Sequence, residues 1–336
     1  MSSYNILIRN GFGNKVFETI IGLYIKDKRN VKLNGILKES KHKSDEIFDI
    51  FPKLKEHMKV IIYDKEKESE KDYYLLNCKG DYKSLYLEQI NTKQDILINK
   101  NYSCYAHIFK MYNQFPKNLK DVYQINKNVI SNQVINKCKG NYVAIHIRYG
   151  DKLISSNDKG RQHKFLLYSP EFYITTIKKF IKQKKKVYVL TDDNVIVNKF
   201  IIDKLHNKNV ELLDLNWKDS FYVLSNCSEL VLSMSTFSFL AALINNKLKK
   251  TYYVPRPYQI SRFTYPEERA ISQKWIKIYN KKYILNFDLK KIRTMLKYKE
   301  NLDNAKNYVK KSNVKKSVKK SNAKKSIKKS VKNTKK

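Results

Sequence analysis

The sequence predicts an α/β protein of two lobes with parallel sheet, followed by a charge-rich C-terminal tail. Three observations predict it. Strand-like and helix-like runs alternate from about residue 141 to 300, the pattern of a parallel sheet with crossover helices. The 336 residues are enough for two lobes and many for one. From about Asn301 the composition changes to a repetitive array of lysine and serine. Boundaries are therefore expected at 1–140, 141–300 and 301–336, the first of these being the softest.

The first lobe opens with Ile6-Leu7-Ile8-Arg9, a strand running into Asn10-Gly11-Phe12-Gly13-Asn14. A helix follows, with Val16, Phe17, Ile20, Ile21, Leu23, Tyr24 and Ile25 as its apolar positions. Gly11 and Gly13 are expected to let the backbone bend sharply and a ligand approach. Asn14 is expected to cap the helix. A plain strand–helix turn fits the same residues. Val60-Ile61-Ile62-Tyr63 and Tyr73-Tyr74-Leu75-Leu76 read as further strands.

The second lobe opens with Tyr142-Val143-Ala144-Ile145-His146-Ile147-Arg148-Tyr149-Gly150-Asp151. Val143, Ile145 and Ile147 alternate with Ala144, His146 and Arg148, so His146 and Arg148 share one face at the end of a strand that Gly150 breaks. Ligands of open α/β sheets gather outside the carboxyl ends of strands. An imidazole, a guanidinium and the Asp151 carboxylate at such an edge suit anion binding or catalysis; a structural Arg–Asp ion pair fits equally.

Val187-Tyr188-Val189-Leu190-Thr191 is a second strand, ending in Asp192 and Asp193. Those acids suit the N–H donors of a base or the hydroxyls of a ribose, or else cap the next helix. The runs 172–182, 197–205, 210–213 and 219–226 continue the alternation, and 251–254 closes it. Between them, Leu230-Val231-Leu232-Ser233 reads as a buried strand leading through a hydroxyl-rich turn into a packed helix from Phe237. Ser235, Thr236 and Ser238 sit where the free N–H groups of a helix start face a ligand, or serve as ordinary caps.

In order and spacing these segments resemble the α1,2-, α1,6- and protein O-fucosyltransferase superfamily, the α1,2 members most closely. Gly11-Phe12-Gly13-Asn14 with Phe17 is similar to its G-x-G-N-x-x-F start. His146-Ile147-Arg148-Tyr149-Gly150-Asp151 is similar to its H-x-R-x-x-D motif, Val187–Asp193 to its second motif, and Ser233–Ala242 to the S-x-S-T-F-S-W-W-x-A block. The resemblance covers residues 4–250. It implies a GT-B-like architecture of two Rossmann-like lobes with a cleft between them, the first on the acceptor side. It further implies GDP-fucose bound in the second lobe, a glycan acceptor, inversion at the anomeric carbon and no metal or other cofactor.

By the same resemblance Arg148 contacts the diphosphate and stabilises its charge, while His146 and Asp193, beside Asp192, hold the guanosine. Ser235, Thr236, Phe237 and Ser238 complete the phosphate cradle; Gly11, Gly13 and Asn14 line the opposite wall. The resemblance does not assign the base that deprotonates the acceptor; Asp151, read with Arg148 as catalytic, and Asp158 are the candidates. Two departures stand out. Many α1,2 and α1,6 members carry paired arginines where this chain has Arg148-Tyr149, leaving Arg161 or Lys152 to replace the second. The Glu that follows Asp-Lys in α1,6 members has no counterpart, Ser155 and Ser156 occupying that stretch.

Charge separates body from tail. Residues 305–336 hold 14 Lys and no acid, so they supply +14 of the net +38 and leave +24 on the rest. Such a block cannot bury enough apolar surface to fold and is expected to stay disordered. It suits a polyanion (nucleic acid, anionic lipid or acidic glycan) through counterion release, or serves only as a solubilising extension. Cys78, Cys104, Cys138 and Cys227 are widely spaced, which argues against a zinc ribbon or a dense disulfide framework. His42, His57, His107, His163 and His206 lack metal-ligand spacing. No signal peptide precedes the first strand and no apolar run reaches the ~18 residues of a membrane span, so a cytoplasmic location, a host cell's included, is expected. Two functions remain: an inverting fucosyltransferase, or a degenerate transferase fold that binds ligand or polyanion without turnover.

Overall fold

The computed structural model describes residues 3–8, 11–37, 46–62, 73–76, 95–98, 105–157, 167–233, 235–253, 275–278, 281–285 and 288–305. The expected roles of Arg161 and Asp158, and of the lysine-rich segment from 306 on, lie outside these residues.

The first lobe is built on a parallel sheet ordered β1-β2-β3, from β1 (Ser3–Ile8), β2 (Lys32–Leu37) and β3 (Lys59–Ile62). Between β1 and β2 runs α1 (Phe12–Arg29), whose Val16, Phe17, Ile20, Ile21, Leu23 and Ile25 are all buried as their spacing requires. Short helices α2 (Glu46–Ile50) and α3 (Leu54–His57) return the chain to β3. Strands β4 (Tyr73–Leu76) and β5 (Asp95–Ile98) pair in a second parallel ladder. Helices α4 (Tyr105–Gln114), α5 (Lys117–Asp121) and α6 (Asn132–Lys137) lead to the second lobe.

That lobe holds β6 (Val143–Ile147), β7 (Val187–Thr191), β8 (Val210–Leu212), β9 (Glu229–Val231), β10 (Lys250–Tyr253) and β11 (Trp275–Lys277), all parallel, in the order β11-β10-β9-β6-β7-β8. Numbered within the lobe this is 6-5-4-1-2-3, the doubly wound Rossmann order, which reverses direction between β6 and β9. The reversal is visible in the core. Val143, Ile145, Ile147, Val187, Val189 and Val231 face one apolar cluster with α7 (Gly150–Asn157), α8 (Pro170–Lys182) and α9 (Asn194–Phe200). Ala144, Tyr188, Leu190 and Leu230 face the other, with α10 (Trp217–Asn226) and α11 (Thr236–Ile244).

The second of these clusters is continuous with the core of the first lobe. Phe17 on α1 meets Phe239 on α11 edge-on at 5.8 Å, and the Phe12 ring lies 4.8 Å from Trp217 and 4.9 Å from Phe221. Ser131 N–H, ahead of the second lobe, donates to Asp219 Oδ1 at 2.9 Å. The apolar surface joining the lobes is thus a shared core.

A last helix, α12, runs over residues 289–305, past the Asn301 expected to begin the tail. Its fully buried Ile292 and Met295 continue the α8/α9 face of the core, which keeps those residues helical.

Candidate active site

The site assembles at the carboxyl ends of β6, β7 and β9. His146 is the buried polar residue of β6. Its Nδ1 is 2.6 Å from Ser233 Oγ, just beyond β9, so this hydrogen bond spans the point where the sheet reverses. Phe237, on the first turn of α11, covers the imidazole at 5.8 Å. Burial, with the Arg148 charge adding to it, lowers the His146 pKa to about 3, so the ring is neutral at ordinary pH.

Arg148 stands two residues on, on the same face as the alternation predicts. Its Nη2 donates to Asp151 Oδ1 at 3.1 Å, and its Nε lies 3.6 Å from Asp192 Oδ2. That Nε is buried and has no hydrogen-bond partner. Oδ1 of Asp192 accepts from the N–H groups of Tyr149 at 2.9 Å and Gly150 at 3.0 Å, so an acid from β7 caps α7. Burial raises the Asp192 pKa, against the pull of Arg148 and the two N–H groups. Asp151 differs: burial opposes its charge, but hydrogen bonding and attraction from Lys152 and Arg148 outweigh it and leave its pKa lowered.

Asp193 takes the capping role that the sequence left open. Its Oδ1 accepts from Ile196 N–H at 3.2 Å at the start of α9, and its Oδ2 pairs with Lys299 Nζ at 2.6 Å.

Ser235 caps α11 through its Oγ, which accepts from Phe237 N–H at 3.3 Å. Ser238 is fully buried and its hydroxyl lies within reach of the Ser233 and Ser235 carbonyls, so it shapes the turn from inside. Of the hydroxyls in this turn, Thr236 faces the first lobe. A Cβ placed on Gly13 would stand 2.6 Å from its Oγ1, 2.8 Å from its carbonyl carbon and 2.9 Å from Phe237 N.

Two expectations for the glycine turn are corrected. Gly11, not Asn14, is the N-cap of α1: the helix starts at Phe12, and Asn14 N–H already bonds the Gly11 carbonyl at 3.0 Å. Gly11 has φ −72°, open to any residue, so no sharp bend demands it. Gly13 is required by the close approach of α11.

The starts of α1 and α11 therefore touch. Each carries about half a positive charge, and neither has an acid in its first turn to offset it. With the Arg148 guanidinium at the carboxyl edge of the same sheet, they make an anion-attracting edge.

Tyr149, where the resemblance leads one to expect a second arginine, points the other way. It is fully buried and its hydroxyl donates to the Tyr168 carbonyl at 2.6 Å. Lys152 pairs with Asp151 at 2.9 Å. Ser233 and Lys299 are the site residues that sequence reasoning missed. Among the described residues no group of three or more His, Cys, Asp or Glu stands close enough together to hold a metal ion, and no helix is long and apolar enough to cross a membrane.

A doubly wound lobe with an arginine and helix starts at its reversal point has the design of a nucleotide-binding enzyme. The chain matches Glycosyl transferase family 11 over residues 3–279 and belongs to that family, so it is a glycosyltransferase of the fucosyltransferase type. No curated protein matches it.

Among solved structures it is similar to the fucosyltransferase NodZ from Bradyrhizobium, at 11% identity and TM-score 0.42, covering 75% of this chain and 95% of that one. It is also similar to POFUT1 in complex with GDP, at 12% identity and TM-score 0.40, covering 75% and 98%. The E. coli heptosyltransferase WaaC, with ADP-2-deoxy-2-fluoro heptose, gives 10% identity and TM-score 0.45 over 88% and 99%.

Proposed function

We propose that the protein transfers fucose from GDP-fucose to a hydroxyl of a glycan, with inversion at the anomeric carbon and without a metal. The observation that carries this reading is the partly exposed Arg148 guanidinium at the reversal point of the sheet. A donor in that position is satisfied by an anionic oxygen, and a nucleoside diphosphate supplies one.

The chemistry follows from the charges. The acceptor oxygen attacks the anomeric carbon from the side opposite the diphosphate, the bond to the β-phosphate oxygen breaks, and GDP leaves with the electron pair. Arg148 and the N–H groups opening α1 and α11 stabilise the charge that gathers on that oxygen. The acceptor proton passes to Asp151, whose half-exposed carboxylate stays ionised beside Lys152 and Arg148. Neutral His146, held by Ser233 and covered by Phe237, borders the nucleotide without adding charge. Asp192 holds the Arg148 turn, while the Asp193 carboxylate is taken up by the Ile196 N–H and Lys299 and shapes the end of β7. A non-catalytic binding protein is the less supported alternative. A polyanion partner for residues 305–336 rests on their lysine content alone.

The test is product formation. The full chain, GDP-fucose and a panel of glycans are incubated with a chelator, and the product is read by mass spectrometry and by the anomeric NMR coupling. A fucosylated product of inverted configuration supports the reading. Transfer only with added metal, or with retention, contradicts it.

A further inference from the structure

One partner of the Asp193–Lys299 ion pair, Lys299, lies outside the part of the chain that matches the family. That match ends at residue 279, whereas Lys299 lies on α12. Yet Lys299 reaches the end of β7, where its Nζ sits 2.6 Å from Asp193 Oδ2, on a carboxyl side chain only 4% exposed. We propose that α12 is a working part of the donor lobe, with Lys299 as a positioning residue for the Arg148 turn. This rests on the proposed function for its catalytic meaning.

The geometry gives a continuous path. α12 is fixed to the lobe at three places: Ile292 and Met295 in the core, Lys291 on Glu171 of α8 at 2.5 Å, and Tyr298 edge-on to Phe200 of α9 at 5.7 Å. Residues 292, 295 and 299 follow helical spacing, so Lys299 is delivered on the buried face. It meets a carboxylate whose other oxygen caps α9 and whose own N–H donates to Thr191 Oγ1 at 3.1 Å.

The Thr191–Asp193 turn is thereby held from three directions. The adjacent Asp192 is aimed by that turn, and it both caps α7 and faces Arg148 Nε. Without Lys299, the Asp193 charge is buried without its cation, and the carboxylate has to swing toward water. The turn moves with it, and the Arg148 guanidinium loses its place.

A structural helix that merely covers the core makes no such demand on charge. The full-length chain is therefore compared with Lys299→Met, Lys299→Arg, Asp193→Asn and the double variant Asp193→Asn/Lys299→Met. Fucose transfer gives kcat and KM. Hydrogen exchange gives the protection of the Tyr149, Gly150 and Ile196 amides.

Lys299→Met is expected to lower kcat on the order of 100-fold, the cost of displacing a positioned group by about 1 Å. It is also expected to expose the three amides. Lys299→Arg recovers most of both. The double variant is expected to be less impaired than Lys299→Met, because Asn still caps α9 and carries no charge in need of a partner.

Unchanged kcat and protection in Lys299→Met, or strictly additive effects in the double variant, overturn the proposal. If the wild-type chain transfers nothing, the functional reading fails by itself. The exchange data then decide the positioning role: unchanged protection in Lys299→Met overturns it, and exposure of the three amides supports it.

Discussion

Arg148 and Asp192 meet across neighbouring strands with Nε 3.6 Å from Oδ2, while Oδ1 of the same carboxylate takes two backbone N–H groups that open α7. One acid thus orients the guanidinium and fixes the loop that carries it. Asp192→Ala is expected to lower kcat/KM on the order of 100-fold, since it frees the turn holding Arg148. It also strands the Tyr149 and Gly150 N–H groups, at about 1–3 kcal/mol in denaturant unfolding. Asp192→Asn keeps an acceptor for both N–H groups and is expected to cost less stability than Ala.

His146 makes stability depend on acid pH. Its folded pKa is depressed to about 3 from the ordinary 6.5, so below pH 6.5 the unfolded chain binds the proton that the folded chain refuses. Stability is lost as pH falls from 6.5 toward 3, by about 2 kcal/mol between pH 7 and pH 5 from this residue. Urea unfolding of the protein and of His146→Gln at the two pH values checks it. The slope is expected to be shallower in the variant by about that amount.

Gly13 and Gly11 separate packing from flexibility. Gly13→Ala forces a methyl group to within 3 Å of the Thr236 backbone and is expected to cost about 1–3 kcal/mol. It also weakens donor binding by pushing α1 from α11. At Gly11 an added Cβ meets nothing within 4 Å, and the cost is expected to stay under about 1 kcal/mol, the preference of an N-cap for Gly over Ala. Thermal melts of the two variants give the comparison.

Restoring the arginine pair of the resembled motif is expected to harm the protein. Tyr149 is fully buried in an apolar cluster, so Tyr149→Arg forces a guanidinium into that space and is expected to cost more than about 4 kcal/mol. Its melting temperature falls and its transfer rate does not rise.

The second lobe was legible because its signals are local. Alternation along Val143–Arg148 placed His146 and Arg148 on one face, and the hydroxyls before Phe237 marked a helix start. Ser233 was quoted within the same run, but only the adjacency of β6 and β9 shows that it meets His146. Asn14 misled because a good capping residue lay two places inside a helix that Gly11 begins. Gly13 read as a ligand-approach residue, since its true neighbour, Thr236, is far away in sequence. Lys299 carried no motif at all. Its helix has the spacing of Leu289, Ile292, Met295 and Lys299, but its proximity to the lysine array masked it as the edge of a tail.

Arg148 and the starts of α1 and α11 are proposed to hold the diphosphate of GDP-fucose. Calorimetric titration of the full chain with GDP, GDP-fucose, GDP-mannose and UDP-sugars, without added metal, tests this most directly. GDP and GDP-fucose are expected to bind and UDP-sugars are not, and Arg148→Ala is expected to abolish the heat while melting like the parent. Absence of any nucleotide binding, or binding that survives Arg148→Ala unchanged, contradicts it.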